Sequence, residues 1–265
     1  MEANNLAKQA SGRELRTLIV DIERLPGEFS AEFWDLNAFK NRRIHADLVT
    51  KWPQTICVAA MWYGEKDFIF HAAWHKGGEK KMLEEAYKLY DQADIVITYN
   101  GINFDNKHLQ SGWIEYGMGK PSPWRDVDLL RVARQSFGFE SKTLDAVCKR
   151  LNIEAKNDKY SIDVARAAMD GDVAAQNRLQ RYNKNDVKIT GQVYERLMPY
   201  IKSHPHVAPI KGLDNPVCPR CSSAAVKRNG YHSTGVNRYQ RYKCNSCGGS
   251  FRTTYESRGP SVHAI

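Results

Sequence analysis

The sequence has no hydrophobic stretch long enough to span a bilayer, because none of its apolar runs approaches the roughly 18 residues that a membrane helix needs. Its first five residues, MEANN, are polar and unlike the apolar core of a signal peptide. With 42% hydrophobic residues in 265, the chain can bury a sizeable core. We therefore expect a cytoplasmic protein with no membrane partner.

Acidic residues are nearly absent from the C-terminal quarter. From residue 206 onward there are nine Lys and Arg but only two acids, so +7 of the net charge of +9 lies in the last 60 residues. A strongly basic segment behind a near-neutral body predicts a polyanionic partner, most often a nucleic acid.

Cysteine is also scarce, with six residues in the chain. Cys57 and Cys148 stand alone in apolar surroundings, which predicts buried thiols. The other four form two C-x-x-C pairs: Cys218, Cys221, Cys244 and Cys247. In a cytosolic chain this spacing favours zinc over disulfides, and four thiolates suit one structural Zn²⁺ in a closed tetrahedral site. A predicted hairpin, residues 225–231 and 239–243, lies between the pairs.

The first apolar run, residues 15–23 (LRTLIVDIE), predicts a buried strand that ends in two carboxylates. Because side chains alternate along a strand, Asp21 and Glu23 project from one face while Ile22 points into the core. Two neighbouring carboxylates repel each other when they are desolvated, so a bound cation would explain the pair. Taken alone, the pattern also fits a strand that ends in solvent.

A third acid follows a later strand. Strands are predicted at 54–62, 67–71 and 94–99, with a helix at 79–92, which indicates a mixed α/β sheet. The last strand leads into a turn where Asn103 is predicted to cap a helix with Asp105 in its first turn. This is the carboxyl end of a strand, where α/β sheets place their sites.

A fourth acid lies in the last long helix. Apolar residues recur there at steps of three and four, which makes one inward stripe, and Asp186 lies on it. A lone carboxylate on an apolar face is costly. We therefore expect Asp186 to meet the other acids through a metal ion.

Three short motifs now stand in order: D-x-E at 21–23, N-x-x-x-F-D at 100–105 and Y-x-x-x-D at 182–186. They resemble the exonuclease motifs of the DEDD 3′-to-5′ exonucleases, the DnaQ-like branch of the ribonuclease H-like fold. Residues 98–105 (TYNGINFD) are similar to the second motif of the proofreading domains of B-family polymerases and of YprB-like predicted exonucleases. Tyr182 matches the DEDDy type, whereas the DEDDh type would have His where Arg181 stands.

The resemblance implies a fold and a chemistry. The expected fold is a ribonuclease H-like mixed sheet flanked by helices, followed by a small β-rich zinc ribbon. The expected ligands of two Mg²⁺ or Mn²⁺ ions are Asp21, Glu23, Asp105 and Asp186. The Tyr182 hydroxyl would position the attacking water, and hydrolysis would release 5′-mononucleotides from single-stranded DNA or DNA 3′ ends.

The chain is predicted to divide at residues 13, 200, 215 and 252, into a disordered start, the exonuclease domain, a linker, the ribbon and a disordered tail. Substrate contacts are expected at seven residues, Asn100, Phe104, Arg42, Arg43, Arg238, Arg241 and Tyr242. Two alternatives remain open, an RNA 3′-exonuclease of the RNase D kind and a catalytically inactive nucleic-acid-binding adaptor. The ribbon could also bind a protein.

Overall fold

A computed structural model describes residues 15–32, 43–154, 158–207, 216–234 and 237–253. Before residue 200 these contain strands β1 (Thr17–Leu25), β2 (Glu28–Phe29), β3 (Val49–Lys51), β4 (Gln54–Trp62), β5 (Phe68–Ala72), β6 (Ile95–Thr98) and β7 (Arg125–Asp128). Five of them form one sheet in the order β5-β4-β1-β6-β7. The central strand β1 pairs antiparallel with β4 and parallel with β6, so the predicted mixed sheet is confirmed.

Among the described residues, six helices cover the sheet: α1 (Gly78–Gln92), α2 (Asp105–Glu115), α3 (Leu129–Ser136), α4 (Leu144–Arg150), α5 (Ile162–Met169) and α6 (Val173–Leu197). The same part of the chain has short 3₁₀ turns at Ala46–Leu48 and Met198–Tyr200. Helices α1 and α2 pack on the face of β1 that carries Leu18, Val20 and Ile22. Helices α3, α4 and α6 pack on the other face, against Ile19. Alternation along β1 therefore turns Asp21 and Glu23 toward α6.

Two local predictions need correction, and one strand was not predicted. Strand β1 does not end at its acids, because it continues through a bulge after Glu23 and pairs with β4 as far as Leu25. Asn103 does not cap α2, whose N-cap residue is Phe104 with no side-chain hydrogen bond. Strand β7 was not predicted, since four residues of mostly charged sequence carry no periodic signal, yet they pair in parallel with β6.

A second, smaller sheet follows the linker. Strands β8 (Val226–Ser233), β9 (Arg238–Cys244) and β10 (Ser250–Arg252) lie in the antiparallel order β10-β9-β8. The predicted hairpin is thus present, and β10 extends it. The module docks on the body, because Nη2 of Arg220 donates to the carbonyl of Ile201 at 3.1 Å and the Val207 amide donates to the Pro219 carbonyl at 2.7 Å.

Several domain predictions lie outside the described residues: the start up to residue 13, linker residues 208–215 and the tail after Thr253. The four domain boundaries therefore stay predictions, as does the cytoplasmic location. None of the helices among the described residues is both long and apolar enough to cross a membrane.

Candidate metal-binding sites

Three carboxylates converge between β1 and α6. Asp21, Glu23 and Asp186 each offer an oxygen, and these oxygens all lie within 4.8 Å of one another. Asp186 is only 4% exposed. Mg²⁺ binds six oxygens at 2.0–2.1 Å, so its ligand atoms stand about 3–4 Å apart, and this cluster fits such an ion. The three residues are defined from here on as the acid cluster.

Asp105 approaches the same strand from the opposite helix layer but is not one of the three clustered acids. Its Oδ1 accepts the amide of Ile22, the residue between Asp21 and Glu23, at 3.0 Å. Burial, together with the nearby charge of Asp128, raises the pKa of Asp105 to about 7, although backbone hydrogen bonds oppose the shift. A buried carboxyl that holds its proton this strongly gains from a neighbouring cation, which favours the ionised form.

Asn183 was missed by the sequence reasoning. It lies one turn before Asp186 on α6, is completely buried, and donates from Nδ2 to Oδ2 of Asp21 at 2.7 Å. Its Oδ1 has no hydrogen-bond partner among the described residues. Asn183 thus holds the Asp21 carboxylate in position. Its spacing of three from Asp186, on the same inward face, was the available signal.

Tyr182 lies one helical turn before Asp186 and is partly buried. Its ring packs 6.4 Å from that of Tyr160, whose hydroxyl donates to the carbonyl of Arg24 at 2.6 Å. Burial, reinforced by the charge of Glu23, raises the pKa of Tyr160 to about 12. Tyr160 therefore remains a protonated donor beside the acid cluster, a position that its sequence context did not indicate.

The turn before α2 is held by Asp128. Its carboxylate accepts the amides of Asn100 at 3.0 Å and Ile102 at 3.4 Å, and also caps α3. Asn100 has a φ of 74°, so its backbone is in the left-handed region that Asn tolerates better than most residues. A side chain at Gly101 would collide with Thr98. This turn places Asp105 at the start of α2.

A cationic side chain stands directly after the acid pair. Nη1 of Arg24 lies 3.0 Å from Nε2 of His108, and its Nη2 donates to the Pro53 carbonyl at 3.0 Å. Burial and the charges of Arg24 and Lys107 lower the pKa of His108, which favours the neutral ring that can accept from the guanidinium. Phe104, 40% exposed, meets the His108 ring edge-on at 4.8 Å.

The four cysteines of the C-terminal module form a second group. The Sγ atoms of Cys218 and Cys247 lie 3.6 Å apart, those of Cys221 and Cys244 lie 3.7 Å apart, and all four fall within 4.8 Å. A tetrahedron with Zn–S bonds of 2.3 Å has edges of about 3.8 Å, so the group fits Zn²⁺. Although burial opposes it, hydrogen bonds from the Cys247 and Ser246 amides lower the pKa of Cys244 to about 7. This favours the thiolate form that binds metal.

The predicted substrate residues are scattered. Arg43 is exposed, and Arg42 lies outside the described residues. Arg238 is exposed with its guanidinium 3.7 Å over the ring of Tyr231, and Nε of Arg241 donates to the Asn229 carbonyl at 2.7 Å.

Tyr242 requires a correction. It is 8% exposed and stacks on Phe251 with ring centroids 5.6 Å apart, inside the module. Because its ring is covered, Tyr242 has little surface to offer a base.

Comparison with known proteins identifies the larger domain. A model of the RNase_H superfamily matches residues 46–198, more than half of the chain. The chain belongs to the RNase_H superfamily. The sheet order and flanking helices of its body agree with an RNase H-like fold. Strand β1, with Asp21 and Glu23, lies before the matched segment of this superfamily model, so the structure alone brings these acids to Asp186.

Individual relatives are DNA polymerases. Those of Thermococcus gorgonarius and Thermococcus sp. are 26% identical over 144 residues, covering 46% of this chain and 18% of the polymerases. The family B DNA polymerase structure from Pyrobaculum calidifontis aligns with a TM-score of 0.51 at 18% identity, covering 71% of this chain and 25% of that one. The chain thus spans less than a fifth of the curated polymerases that it matches.

Proposed function

We propose that this member of the RNase_H superfamily is a metal-dependent 3′-to-5′ exonuclease of the DEDDy type. The observation that carries the proposal is the convergence of Asp21, Glu23 and Asp186 within 4.8 Å. Repulsion makes such a group costly unless cations bind it. Its RNase H-like setting favours phosphodiester hydrolysis over a purely structural cation site.

Each residue takes a role that its position permits. Asp21, Glu23 and Asp186 hold the divalent ions from the α6 side, and Asp105 does so from the start of α2. Asn183 orients Asp21 through its hydrogen bond. The Tyr182 hydroxyl orients the attacking water. When bound, the two ions lower the pKa of that water and stabilise charge on the leaving 3′ oxygen.

The substrate proposed is single-stranded DNA or a DNA 3′ end. Support comes from the relatives, which are DNA polymerases, and from the net charge of +9. Arg24 directly follows the acid pair in the sequence and lies against His108, and it is proposed to meet a phosphate at the mouth of the site. Phe104 is exposed beside it for contact with a base or sugar.

Degradation of end-labelled oligonucleotides tests the activity. We expect a 5′-labelled single strand to give a ladder that shortens from its 3′ end, and a 3′-labelled strand to release labelled mononucleotide at once, both only with Mg²⁺ or Mn²⁺. A matched RNA strand tests the sugar. Faster cleavage of RNA than of DNA would favour the RNase D-like alternative. If wild type and Asp186→Asn are both inactive, the catalytically inactive nucleic-acid-binding adaptor is the alternative that remains.

A further inference from the structure

The C-terminal module is strongly basic in the part of it that the structure describes. In its described residues, 216–234 and 237–253, there are seven Lys and Arg and no Asp or Glu. Such a module repels itself electrostatically, so its charge is better explained by a polyanionic partner than by solubility.

Strand register distributes these cations unequally between the two faces of the sheet. Lys227 lies opposite Lys243, and Arg252 lies opposite Arg241. Residues directly opposite each other in a sheet share a face, and alternate residues along β9 share it too. One face therefore carries all of the following residues, here called the basic face: Lys227, His232, Tyr239, Arg241, Lys243 and Arg252.

The other face is the interior of the module. It carries Cys244 and the Tyr242–Phe251 stack, with Arg228 at its margin and Arg238 3.7 Å over the exposed ring of Tyr231. All four Lys and Arg side chains of the basic face are exposed. Because like charges directly opposite each other destabilise a sheet, two such pairs side by side indicate a surface shaped for binding rather than for folding.

An aromatic group lies among these cations. The Arg252 guanidinium sits 3.9 Å over the ring of Tyr239. Basic side chains that follow a phosphate backbone, combined with a planar group for base stacking, are the features of single-strand binding surfaces. An acidic protein partner would use the charges but would not need the stacked pair.

We propose that the basic face binds the sugar-phosphate backbone of single-stranded nucleic acid, on the 5′ side of the end held at the acid cluster. The location relative to the strand end rests on the proposed exonuclease function. The module docks where α6 ends, close to Pro199 and Ile201. At 1.5 Å per residue, this is about 20 Å along the helix from Asp186. A strand must therefore be several nucleotides long to reach both sites.

Paired charge removals test which face binds. The test variant is Lys243→Gln with Arg252→Gln, and the control, Arg228→Gln with Arg238→Gln, removes the same charge from the other face. Binding of a 5′-fluorescein-labelled (dT)20 is followed by anisotropy without added divalent ions. If two phosphate contacts are lost, the slope of log K against log salt falls by about 1.4, and affinity at 0.1 M salt falls by about 25-fold. In the control variant, the slope should fall by less than half as much.

A second variant tests whether the fall in affinity comes from loss of the Arg252–Tyr239 stack rather than from loss of charge. Lys227→Gln with Lys243→Gln leaves that stack intact and should lower the affinity similarly, with the zinc content unchanged. Equal losses in the test and control variants would overturn the face assignment, as would unchanged binding in both basic-face variants. Competition by poly-L-glutamate as strong as that by unlabelled (dT)20 would overturn nucleic acid in favour of an acidic protein.

A small substrate separates this inference from the proposed function. Hydrolysis of thymidine 5′-p-nitrophenyl phosphate with Mn²⁺ reports on the acid cluster alone and should be equal in wild type and both basic-face variants. The value of kcat/KM should fall for (dT)20 but not for (dT)3. If the wild type cleaves none of these substrates, the exonuclease proposal fails, while the anisotropy experiment still decides the role of the basic face.

Discussion

The acid cluster and the four cysteines, Cys218, Cys221, Cys244 and Cys247, differ in how much of the surrounding structure holds them in place. The acids come from β1 and α6, distant in sequence, and both elements are anchored in a large core on either side of a five-stranded sheet. The four cysteines come from two short turns in a module whose described apolar interior consists mainly of Tyr242, Phe251 and Val226. The body fold therefore holds the acid cluster in place, whereas we expect the C-terminal module to need a bound zinc ion for its own stability.

This difference predicts that the two metal sites will respond oppositely to loss of their ligands. A zinc ion held by the four thiolates would add its binding free energy to the stability of a module whose core is small. The three carboxylates oppose folding through repulsion and are tolerated because the surrounding core is large.

Replacing an acid should remove activity without unfolding the body. We expect Asp186→Asn to lower exonuclease activity by more than about 100-fold. Even the mutation of a residue that only hydrogen-bonds to a metal ligand typically lowers metal affinity or activity by about 10–100-fold. Without divalent ions its Tm should equal or exceed that of wild type, because repulsion is relieved, while the Tm increase produced by Mg²⁺ should disappear. Asp163→Asn, an exposed acid on α5, is the control. A large fall in the Tm of Asp186→Asn would contradict the comparison.

Replacing a thiol should have the reverse outcome. We expect Cys218→Ser to release zinc and to make the C-terminal module sensitive to trypsin, while the thermal transition of the body stays in place. Cys148→Ala, which removes a buried thiol from the body core, should lower the body Tm and leave the zinc content unchanged. Zinc content and limited proteolysis give the readouts. A protease-resistant module without zinc would show that its own packing suffices.

The residue that supports the acid cluster should have an intermediate effect. Asn183→Ala removes the hydrogen bond to Asp21, so we expect activity to fall by about 10–100-fold. Asn185→Ala, on the same helix and partly exposed, should stay within about two-fold of wild type. Measuring activity across Mn²⁺ concentrations sharpens the result, because a misoriented Asp21 should raise the Mn²⁺ requirement. An unchanged requirement would argue for a packing role alone.

The smallest effect concerns the segment that connects the two regions, where it packs on α6. The pKa of His204 is lowered, first by burial, and its Nε2 lies 2.6 Å from the Tyr194 hydroxyl of α6. The folded state therefore favours neutral His204, and this stabilisation is present above the ordinary pKa of 6.5 and is lost as the pH falls through the folded value. Wild-type Tm should drop by a few degrees between pH 7.5 and 5.5 more than that of His204→Gln. Equal falls in Tm for wild type and His204→Gln would show that His204 does not cause the pH dependence.

Much of the fold could be predicted because its signals are local. Alternation placed Asp21 and Glu23 on one face, a period of 3.6 placed Asp186 inward on α6, and the C-x-x-C pairs marked the cysteine group. Strand β7 and the extension of β1 escaped prediction. Both segments form strands because a neighbouring strand supplies hydrogen bonds. Their own sequences do not indicate which strand will lie beside them.

By itself, the sequence determined which side chains share a face, because the periods of helix and strand are properties of the backbone. Only the tertiary structure decided what each face meets: Asn183 against Asp21, Arg24 against His108, and the cations of β8, β9 and β10 on one side of a sheet. The physical reason is that register and packing set contacts between residues far apart in the chain. A period fixes the direction of a side chain, but the long-range pairing fixes its partner.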